Sequence, residues 1–322
     1  MPTAEPTLAR GTRAVLLYNP RSGTHNVEAH LPSAIDVLRD GGWQVEVQPT
    51  RQVGDIGRLA GEARTGGYDV VLVAGGDGSL NEAANALAGS EVILGTLPAG
   101  TANVWARQIG LPIPAPLYLT QLADAARLQR EGIVRPIDLG CANGRFFLLW
   151  SSTGLGAYIT SHVEPRPPWV KRWGMAGYGL RALRYALEYR GTPMTITIDD
   201  QLPVQERVLM VLISNVQLYA GLVRLAPQAR LDDGWLDVCI FEGAHLAYAV
   251  RQFMSIMLRR AAYNPQLSTT RGRLVHIAAK HPTAVHVDAE PIGTTPIEVQ
   301  VRPQALRVIV PHTAAAGLFT SR

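Results

Sequence analysis

Lysine is almost missing from this chain of 322 residues. Only Lys171 and Lys280 occur, although lysine and arginine together number 30. A Walker-type P-loop needs a lysine directly after its last glycine, and a protein kinase needs one on a strand beside the phosphates. Neither lysine stands in such a setting, so the sequence argues against both of these routes to phosphate binding.

Cysteine and long apolar runs are scarce as well. Cys141 and Cys239 lie in separate strand-like segments, which predicts buried thiols in a reducing compartment and argues against a disulfide framework or a zinc site. No apolar run approaches the ~18 residues that span a bilayer, and the start, Met1 to Arg13, lacks the order of a signal peptide. We expect a globular, cytoplasmic protein.

The net charge of +4 is carried almost entirely by arginine, which is spread along the chain. Scattered arginine is typical of a solvated surface, although the basic excess also suits an anionic surface or ligand. We expect no nucleic-acid partner. Hydrophobic residues make up 47% of the chain, which is enough to bury the cores of two domains of ordinary size.

The first part of the chain alternates strand and helix patterns. Helical periodicity occurs between the strands, as at Val27, Leu31, Ile35 and Leu38. Short segments rich in β-branched residues occupy 13–18, 43–50, 68–74 and 91–98. This pattern predicts an α/β domain over residues 1–135, with a mainly parallel sheet that binds its ligand beyond the carboxyl ends of the strands.

From residue 136 onward, strand patterns follow one another with only turns or one helix between them. They occupy 135–152, 192–200, 206–215, 235–243, 284–291, 296–303 and 305–311. Helical patterns return near 170–189 and 244–260. We expect a β-rich, antiparallel, sandwich-like domain over residues 136–310, with a tail, 311–322, that can return to the first domain.

Glycines and polar residues follow each of the four early strands. They are NPRSG (19–23), Thr50, GGDGS (75–79) and AGTAN (99–103). A parallel sheet gathers these ends at one edge, where glycine permits close approach of the backbone and helix N–H groups attract phosphate. A nucleotide site is therefore predicted. A dinucleotide-binding Rossmann protein fits weakly, because Asn81 replaces the third glycine of that fingerprint.

Asp77 stands at the centre of the GGDGS turn. A carboxylate beside phosphate would be repelled unless a cation or a reacting hydroxyl lay between them, and phosphoryl transfer supplies both. Ser79 and Glu82 also form an S-x-x-E capping box, which would serve only to start a helix. The functional interpretation is favoured for Asp77, and both interpretations stay open for Ser79.

Two acidic segments lie later in the chain. In AVHVDAEP, alternation along a strand would place His286, Asp288 and Glu290 on one face. On these residues alone, an ordinary solvated strand face is the expected interpretation. The DDG of RLDDGWLDV (230–238) alone predicts a metal-free turn.

Taken together, NPRSG, GGDGS, GTLPAGTANVWARQIGLP and VDAEP resemble the diacylglycerol kinase catalytic family, specifically the bacterial lipid kinases related to sphingosine kinases. The resemblance covers nearly the whole chain. It implies the two-domain fold shared by NAD kinases and diacylglycerol kinases, with ATP as phosphate donor and a lipid alcohol as acceptor. It also implies dependence on Mg²⁺.

The resemblance also implies roles for individual residues. Glu290 would accept the proton of the alcohol, with Asp77 and Asp288 as further catalytic acids. A structural Mg²⁺ would be held by Asp233 and by the main-chain carbonyls of Arg230 and Trp235. The implied nucleotide-binding residues are Asn19, Ser22, Gly23, Thr50, Gly75, Gly76, Asp77, Gly78, Ser79, Asn81 and Thr101.

The sequence departs from the family at Val104, where many relatives carry an acid. Segment 167–190 mixes tryptophan and tyrosine with basic residues, as an interfacial helix does, but its stripe of Trp173, Leu180, Leu183 and Leu187 favours core packing. We expect a lipid alcohol substrate, peripheral contact with the inner membrane face and a possible homodimer.

Two alternative functions remain. An NAD kinase-like enzyme would explain GGDG, but it gives no reason for GTANVWAR or VDAEP. A non-enzymatic nucleotide-binding or lipid-binding protein would explain the glycines and leave the acids without a role.

Overall fold

The computed structural model describes residues 8–20, 27–113, 121–163, 174–219, 221, 223–258, 264 and 266–320. The chain divides into two compact units. Unit 1 comprises Met1–Leu139, Leu231–Asp233 and Pro303–Arg322, and unit 2 comprises Gly140–Arg230 and Gly234–Arg302. Unit 1 is therefore assembled from segments that lie far apart in the sequence.

The described strands are β1 Arg13–Tyr18, β2 Gln44–Pro49, β3 Val70–Gly75, β4 Ile93–Pro98, β5 Ile133–Ala142, β6 Arg145–Phe147, β7 Trp150–Gly154, β8 Thr192–Ile198, β9 Val204–Ser214, β10 Leu218–Tyr219, β11 Val223–Arg224, β12 Leu236–Glu242, β13 Leu267–Gly272, β14 Leu274–Ala279, β15 Ala284–Val287, β16 Glu290–Thr294 and β17 Ile297–Val310. The described helices are α1 Leu31–Asp40, α2 Asp55–Thr65, α3 Asp77–Leu87, α4 Val104–Gln108, α5 Gln121–Arg130, α6 Leu155–Val163, α7 Gly174–Glu188 and α8 Leu246–Met257. Short 3₁₀ helices cover Val27–Ala29 and Ala316–Leu318.

Unit 1 contains a parallel sheet with the strand order β2-β1-β3-β4-β17. Helices α1 and α5 contact each other over one face, and α2 and α3 contact each other over the opposite face. Every residue of β3 is buried as a result. Strands that are covered on both faces have continuous apolar runs, and this explains the VVLVAG sequence of β3. The predicted parallel α/β domain is confirmed.

Unit 2 is antiparallel. Its strands follow the order β16-β15-β7-β9-β8-β14-β17, and β9 also pairs with β12, which pairs with β13. Alternate residues of these strands face a shared apolar core that includes Ile196, Val211, Val238, Val275 and Val299. The predicted β-rich second domain is confirmed.

The structure corrects several predicted elements. Segment 284–291, expected as one strand, is a hairpin of β15 and β16. Segments 296–303 and 305–311, expected as two strands, belong to the single strand β17. Strands β13 and β14 were not predicted, and in β13 the residues Thr, Arg and Gly interrupt the apolar pattern.

Strand β17 contributes to both units. Gln300 pairs with Leu274 of β14, whereas Arg307 pairs with Ile93 of β4. The predicted domain limits, 1–135 and 136–310, remain a prediction. Cys141 and Cys239 are both free and buried, as predicted. Within the described ranges, no helix has the length and apolarity needed to cross a membrane.

Candidate active site

The carboxyl ends of four parallel strands lie level at one edge of the sheet in unit 1. Tyr18 pairs with Pro49 and with Ala74, and Gly75 pairs with Pro98. The residue after β2 is still hydrogen-bonded to the end of β1, because Thr50 N–H donates to the Tyr18 carbonyl at 2.8 Å. The structure thus brings Asn19, Thr50, Gly75 and Thr101 to the same edge. Ser22 and Gly23 lie outside the described residues.

Helix α3 begins at this edge, and its start corrects the capping-box alternative. Its N-cap residue is Gly76, so Ser79 is the third helical residue, and no side chain caps the helix among the described residues. Glu82 instead accepts a hydrogen bond from Gly57 N–H at 3.4 Å. The N–H group of Gly78 in the first turn is therefore left without a side-chain cap, as an anion-binding helix start requires.

Asn81 is buried one turn further along α3. Its Oδ1 accepts a hydrogen bond from Asn85 Nδ2 at 2.8 Å, whereas its own Nδ2 has no hydrogen-bond partner among the described residues. A buried amide without a partner is costly, so this N–H group is a candidate donor to a bound ligand.

The GGDGS and AGTAN loops touch at two glycines. A Cβ added to Gly100 would lie 2.4 Å from the Cα of Gly76, so this contact requires glycine. Asn103 fixes the second loop, because its amide group bonds to both the N–H and the carbonyl of Gly100 at 2.8 Å. Asn103 was not predicted as a site residue. Its backbone is left-handed, with a φ of 49°, and asparagine tolerates this conformation better than most residues.

Asp77 uses both carboxylate oxygens to bind the start of α4. Oδ2 accepts a hydrogen bond from Val104 N–H and Oδ1 accepts one from Trp105 N–H, each at 3.0 Å. Burial raises the pKa of Asp77, although these two N–H groups and the charge of Arg107 act in the opposite direction. Asp77 therefore links α3 to α4. The main chain of Val104 takes part in this link, while its apolar side chain is buried.

In unit 2, Asp288 is not part of a strand face. Asp288 and Ala289 have φ values of 45° and 66° and form the two-residue turn between β15 and β16. The turn ends the alternation after Val287. His286 and Asp288 are buried, whereas Glu290 is exposed. The prediction that these three side chains share one face of a strand is therefore wrong.

Both oxygens of the Asp288 carboxylate accept hydrogen bonds from main-chain donors. It accepts hydrogen bonds from the N–H groups of Leu148 at 2.7 Å, Leu149 at 2.9 Å and Trp150 at 2.9 Å. In return, Asp288 N–H donates to the Trp150 carbonyl at 2.9 Å. Asp288 therefore anchors the hairpin to the start of β7.

Glu290 begins β16 directly after this turn. Its side chain is 55% exposed, and its Oε2 lies 2.7 Å from Nη2 of Arg145. Of the three acids predicted to be catalytic, Glu290 has the most accessible carboxylate.

The predicted metal-binding turn contains two acids, Asp232 and Asp233. Asp232 accepts a hydrogen bond from Thr320 N–H at 2.7 Å and pairs with Arg135 at 3.3 Å. Gly234 has a φ of 75°, a backbone conformation that glycine adopts readily in turns. Asp233 belongs to unit 1, whereas Arg230 and Trp235 belong to unit 2. Across the described part of the chain, no three His, Cys, Asp or Glu side chains form a metal-binding group.

Unit 2 contains a cavity of about 1120 Å³ against the outer face of β12 and β13. Cys239 and Thr269, which are paired across these strands, both line it. The sequence did not predict this cavity, because its walls come from segments scattered over unit 2. They are Asp199, Gln201, Val223, Arg224, Leu225, Ala226, Pro227, Gln228, Trp235, Asp237, Cys239, Ile256, Leu267, Thr269, Thr270 and Arg271.

His286 and Ser152 face each other across β15 and β7. Both side chains are buried, and neither His286 Nδ1 nor Ser152 Oγ has a hydrogen-bond partner among the described residues. Burial lowers the pKa of His286 to about 4. This histidine is therefore neutral near pH 7.

Comparisons with known proteins agree with this architecture. Residues 13–142 match the family model "Diacylglycerol kinase catalytic domain", and residues 151–310 match "YegS C-terminal NAD kinase beta sandwich-like domain". The chain is 30% identical over 299 residues to a Pseudomonas aeruginosa protein named "Probable lipid kinase YegS-like", covering 92% of this chain and 93% of the other. The chain belongs to the diacylglycerol kinase-like lipid kinase family.

Other relatives extend the comparison. A Bacillus subtilis protein named "Diacylglycerol kinase" is 29% identical over 309 residues, which cover 95% of this chain and 99% of the relative. Two crystal structures of Bacillus anthracis proteins match with TM-scores of 0.80 and 0.71, at 23% and 21% identity. They cover 96% of this chain and 98% and 100% of their own chains, and they support the fold.

Proposed function

We propose that this protein is a Mg²⁺-dependent kinase that transfers the γ-phosphate of ATP to a hydroxyl group of diacylglycerol or a related lipid alcohol. The observation that carries the proposal is the edge of unit 1 where four strand ends, two touching glycine loops and the start of α3 meet. Membership of a lipid kinase family supports a lipid acceptor.

ATP would bind at this edge. Gly75, Gly76 and Gly78 let the backbone approach the phosphates, and the uncapped N–H groups of α3 would donate to them. The proposed nucleotide-binding set is Asn19, Ser22, Gly23, Thr50, Gly75, Gly76, Asp77, Gly78, Ser79, Asn81 and Thr101. The inclusion of Asn81 is supported by its buried Nδ2, which has no hydrogen-bond partner in the part of the chain that the structure describes.

In the transfer step, the lipid hydroxyl oxygen forms a bond to the γ-phosphorus while the bond from that phosphorus to the β–γ bridging oxygen breaks. ADP leaves with the electron pair of the broken bond, and the hydroxyl proton passes to the Glu290 carboxylate. Asp77 and Asp288 hold main-chain segments with carboxylate oxygens that are already engaged. We assign both of them a positioning part in catalysis.

Mg²⁺ would neutralise the charge of the transferred phosphate. For the structural ion, the Asp233 carboxylate and the carbonyl groups of Arg230 and Trp235 are oxygen donors of the kind that Mg²⁺ prefers. Asp232 is bound by Thr320 N–H and Arg135, and Asp233 is the acid of this turn that we test.

We expect Asp233→Ala to lower both the melting temperature and the activity. Added Mg²⁺ should stabilise the wild type more than the variant, because a ligand stabilises the folded state that binds it. Thermal unfolding at several Mg²⁺ concentrations checks this. If Mg²⁺ stabilised the wild type and the variant equally, the proposed metal site would be wrong.

The acceptor lipid would occupy the cavity of unit 2. Its volume, about 1120 Å³, is in the range of small-molecule sites. Leu225, Ile256 and Leu267 offer an apolar wall for acyl chains, while the ion pair of Asp237 and Arg271 forms a polar part of the wall.

Transfer of label from γ-labelled ATP tests the function directly. The acceptors should include diacylglycerol, monoacylglycerol, phosphatidylglycerol, sphingosine, ceramide and NAD. We expect label in at least one lipid alcohol when Mg²⁺ is present. Label in NAD alone would replace the proposal with an NAD kinase, and label in none would leave a non-enzymatic binding protein.

Replacing Glu290 separates chemistry from nucleotide binding. Glu290→Gln should lower kcat by roughly 10²–10⁴-fold, the usual contribution of a general base, with ATP affinity near that of the wild type. Calorimetry with ATP and steady-state kinetics provide the two measurements. Glu298→Gln, which removes another exposed carboxylate from unit 2, is the control and should retain activity. Loss of ATP affinity with unchanged kcat at saturating ATP would move Glu290 to the nucleotide site.

A further inference from the structure

Helix α8 of unit 2 has two unlike faces. Ala249 and Gln252 are buried, and Ile256 lines the cavity. On the opposite side, Val250 and Met254 are 52% and 48% exposed, and Leu258, the residue that ends the helix, is 61% exposed. Because a helix turns by about 100° per residue, these three side chains, four residues apart, form one stripe. We call Val250, Met254 and Leu258 the α8 stripe.

The orientation of α8 is fixed by a buried amide. Gln252 Nε2 donates to the carbonyl groups of Glu242 at 2.6 Å and Gln266 at 2.8 Å. These bonds tie the inner side of the helix to the end of β12 and to the segment before β13. The α8 stripe therefore faces outward because the other side of the helix is held in place.

The segment of the sequence that contains the stripe is basic. From Gly243 to Val287 the sequence contains no aspartate or glutamate but five arginines and one lysine. Arg251 stands on the exposed part of α8, and it forms no ion pair with any described residue. An anionic phospholipid bilayer is apolar inside and negatively charged at its surface. An apolar stripe within a basic segment that contains no acids is complementary to such a bilayer.

We propose that the α8 stripe docks unit 2 on an anionic phospholipid bilayer, so that one side of α8 contacts the membrane and the other side borders the lipid-binding cavity. Insertion of Val250, Met254 and Leu258 supplies apolar burial, and Arg251 adds attraction to the phosphate groups. The acceptor reaches the cavity past α8. This last step rests on the proposed function, whereas the docking itself does not.

Vesicle sedimentation tests the docking without any kinase assay. Wild-type protein should bind vesicles of phosphatidylglycerol mixed with phosphatidylcholine more tightly than vesicles of phosphatidylcholine alone. This preference should weaken at high salt, because salt screens the arginine contribution. Absence of binding to the anionic vesicles would overturn the proposal.

A matched pair of variants localises the contact. Met254→Glu should weaken binding to the anionic vesicles by about tenfold or more, since it removes apolar burial from the stripe and adds a negative charge. Leu202→Glu is the control. It makes the same change of charge at an apolar side chain of unit 2 that is 90% exposed and lies outside α8. Equal loss in both variants, or no loss in Met254→Glu, would overturn the assignment to α8.

Two further measurements separate the remaining explanations. If Met254→Glu converts a dimer to a monomer in analytical ultracentrifugation and leaves vesicle binding unchanged, then the stripe is a contact between copies of this chain and the docking proposal fails. With a short-chain acceptor dissolved in water, Met254→Glu should keep the wild-type kcat. Vesicle binding without phosphorylation of any lipid would refute the proposed function alone.

Discussion

The glycine-lined edge of unit 1 and the β15–β16 hairpin of unit 2 both present acids, and they hold them in different ways. Asp77 is placed by two loops whose backbones meet at Gly76 and Gly100, and its oxygens bind the start of a helix. Asp288 is placed by its own turn, and the neighbouring Glu290 stays exposed. A sequence therefore shows where acids occur, but not whether their oxygens are already engaged.

The largest effect should come from the close approach in unit 1. Gly100→Ala would place a Cβ 2.4 Å from the Cα of Gly76, and neither backbone can move away cheaply. We expect a loss of about 3 kcal/mol in the free energy of unfolding together with loss of ATP binding. Chemical denaturation and calorimetry measure the two effects.

Gly78→Ala is the control within the same motif. A Cβ at Gly78 has no atom within 4 Å, and alanine favours a helix more than glycine does. The protein should keep or gain stability. A similar loss in both variants would mean that the two loops do not depend on their close contact.

The next effect concerns Asp288. Asp288→Asn keeps a residue that tolerates positive φ, but it replaces one acceptor oxygen with an amide that cannot accept from a main-chain N–H. We expect a loss of about 2 kcal/mol in the free energy of unfolding, because a buried donor loses its partner. Urea denaturation of the variant and the wild type measures it.

Glu290→Gln provides the contrast, because exposed ion pairs contribute little to stability. Its free energy of unfolding should stay within about 0.5 kcal/mol of the wild type. If Glu290→Gln proved to be the more destabilising change, the anchoring role of Asp288 would be wrong.

The smallest effect is the pH dependence that His286 gives to unit 2. Burial lowers its pKa from the usual 6.5 to about 4, so the unfolded chain binds the proton more readily than the folded chain does. Its contribution to stability is present above pH 6.5 and is lost as the pH falls toward 4. The free energy of unfolding should drop by roughly 2 kcal/mol between pH 7.5 and pH 5.

His286→Gln cannot take up this proton, so the drop should be smaller in that variant. Denaturation curves at pH 7.5 and pH 5 measure the drop in the free energy of unfolding for both proteins. The same drop in both proteins would assign the pH dependence to other groups.

Much of unit 1 was predictable because its signals are local. The strand predicted at 13–18 matches β1 residue for residue, and the loops after four strands meet at one edge as the parallel sheet requires. Asp77 was identified from its glycine neighbours. Its actual partners, Val104 and Trp105, lie 27 and 28 residues away, and no local pattern reveals main-chain donors at that distance.

Unit 2 was less predictable because its details depend on tertiary contacts. The turn at Asp288 and Ala289 contains no glycine, so VDAEP resembles a continuous strand. The cavity wall is likewise assembled from separate segments, among them Asp199, Ile256 and Thr269. Apolar alternation can predict the strands of such a unit, but it does not show which outer faces remain uncovered.

The division of the chain also affects the order in which the protein can fold during synthesis. Unit 1 takes its last sheet strand from β17 and further backbone from Leu231–Asp233, both of which leave the ribosome long after β4. Until then the edge of β4 has no partner at Ile93 and Leu94, and open strand edges invite pairing with other chains. Unit 1 must therefore wait for the synthesis of nearly the whole of unit 2 before its sheet is complete.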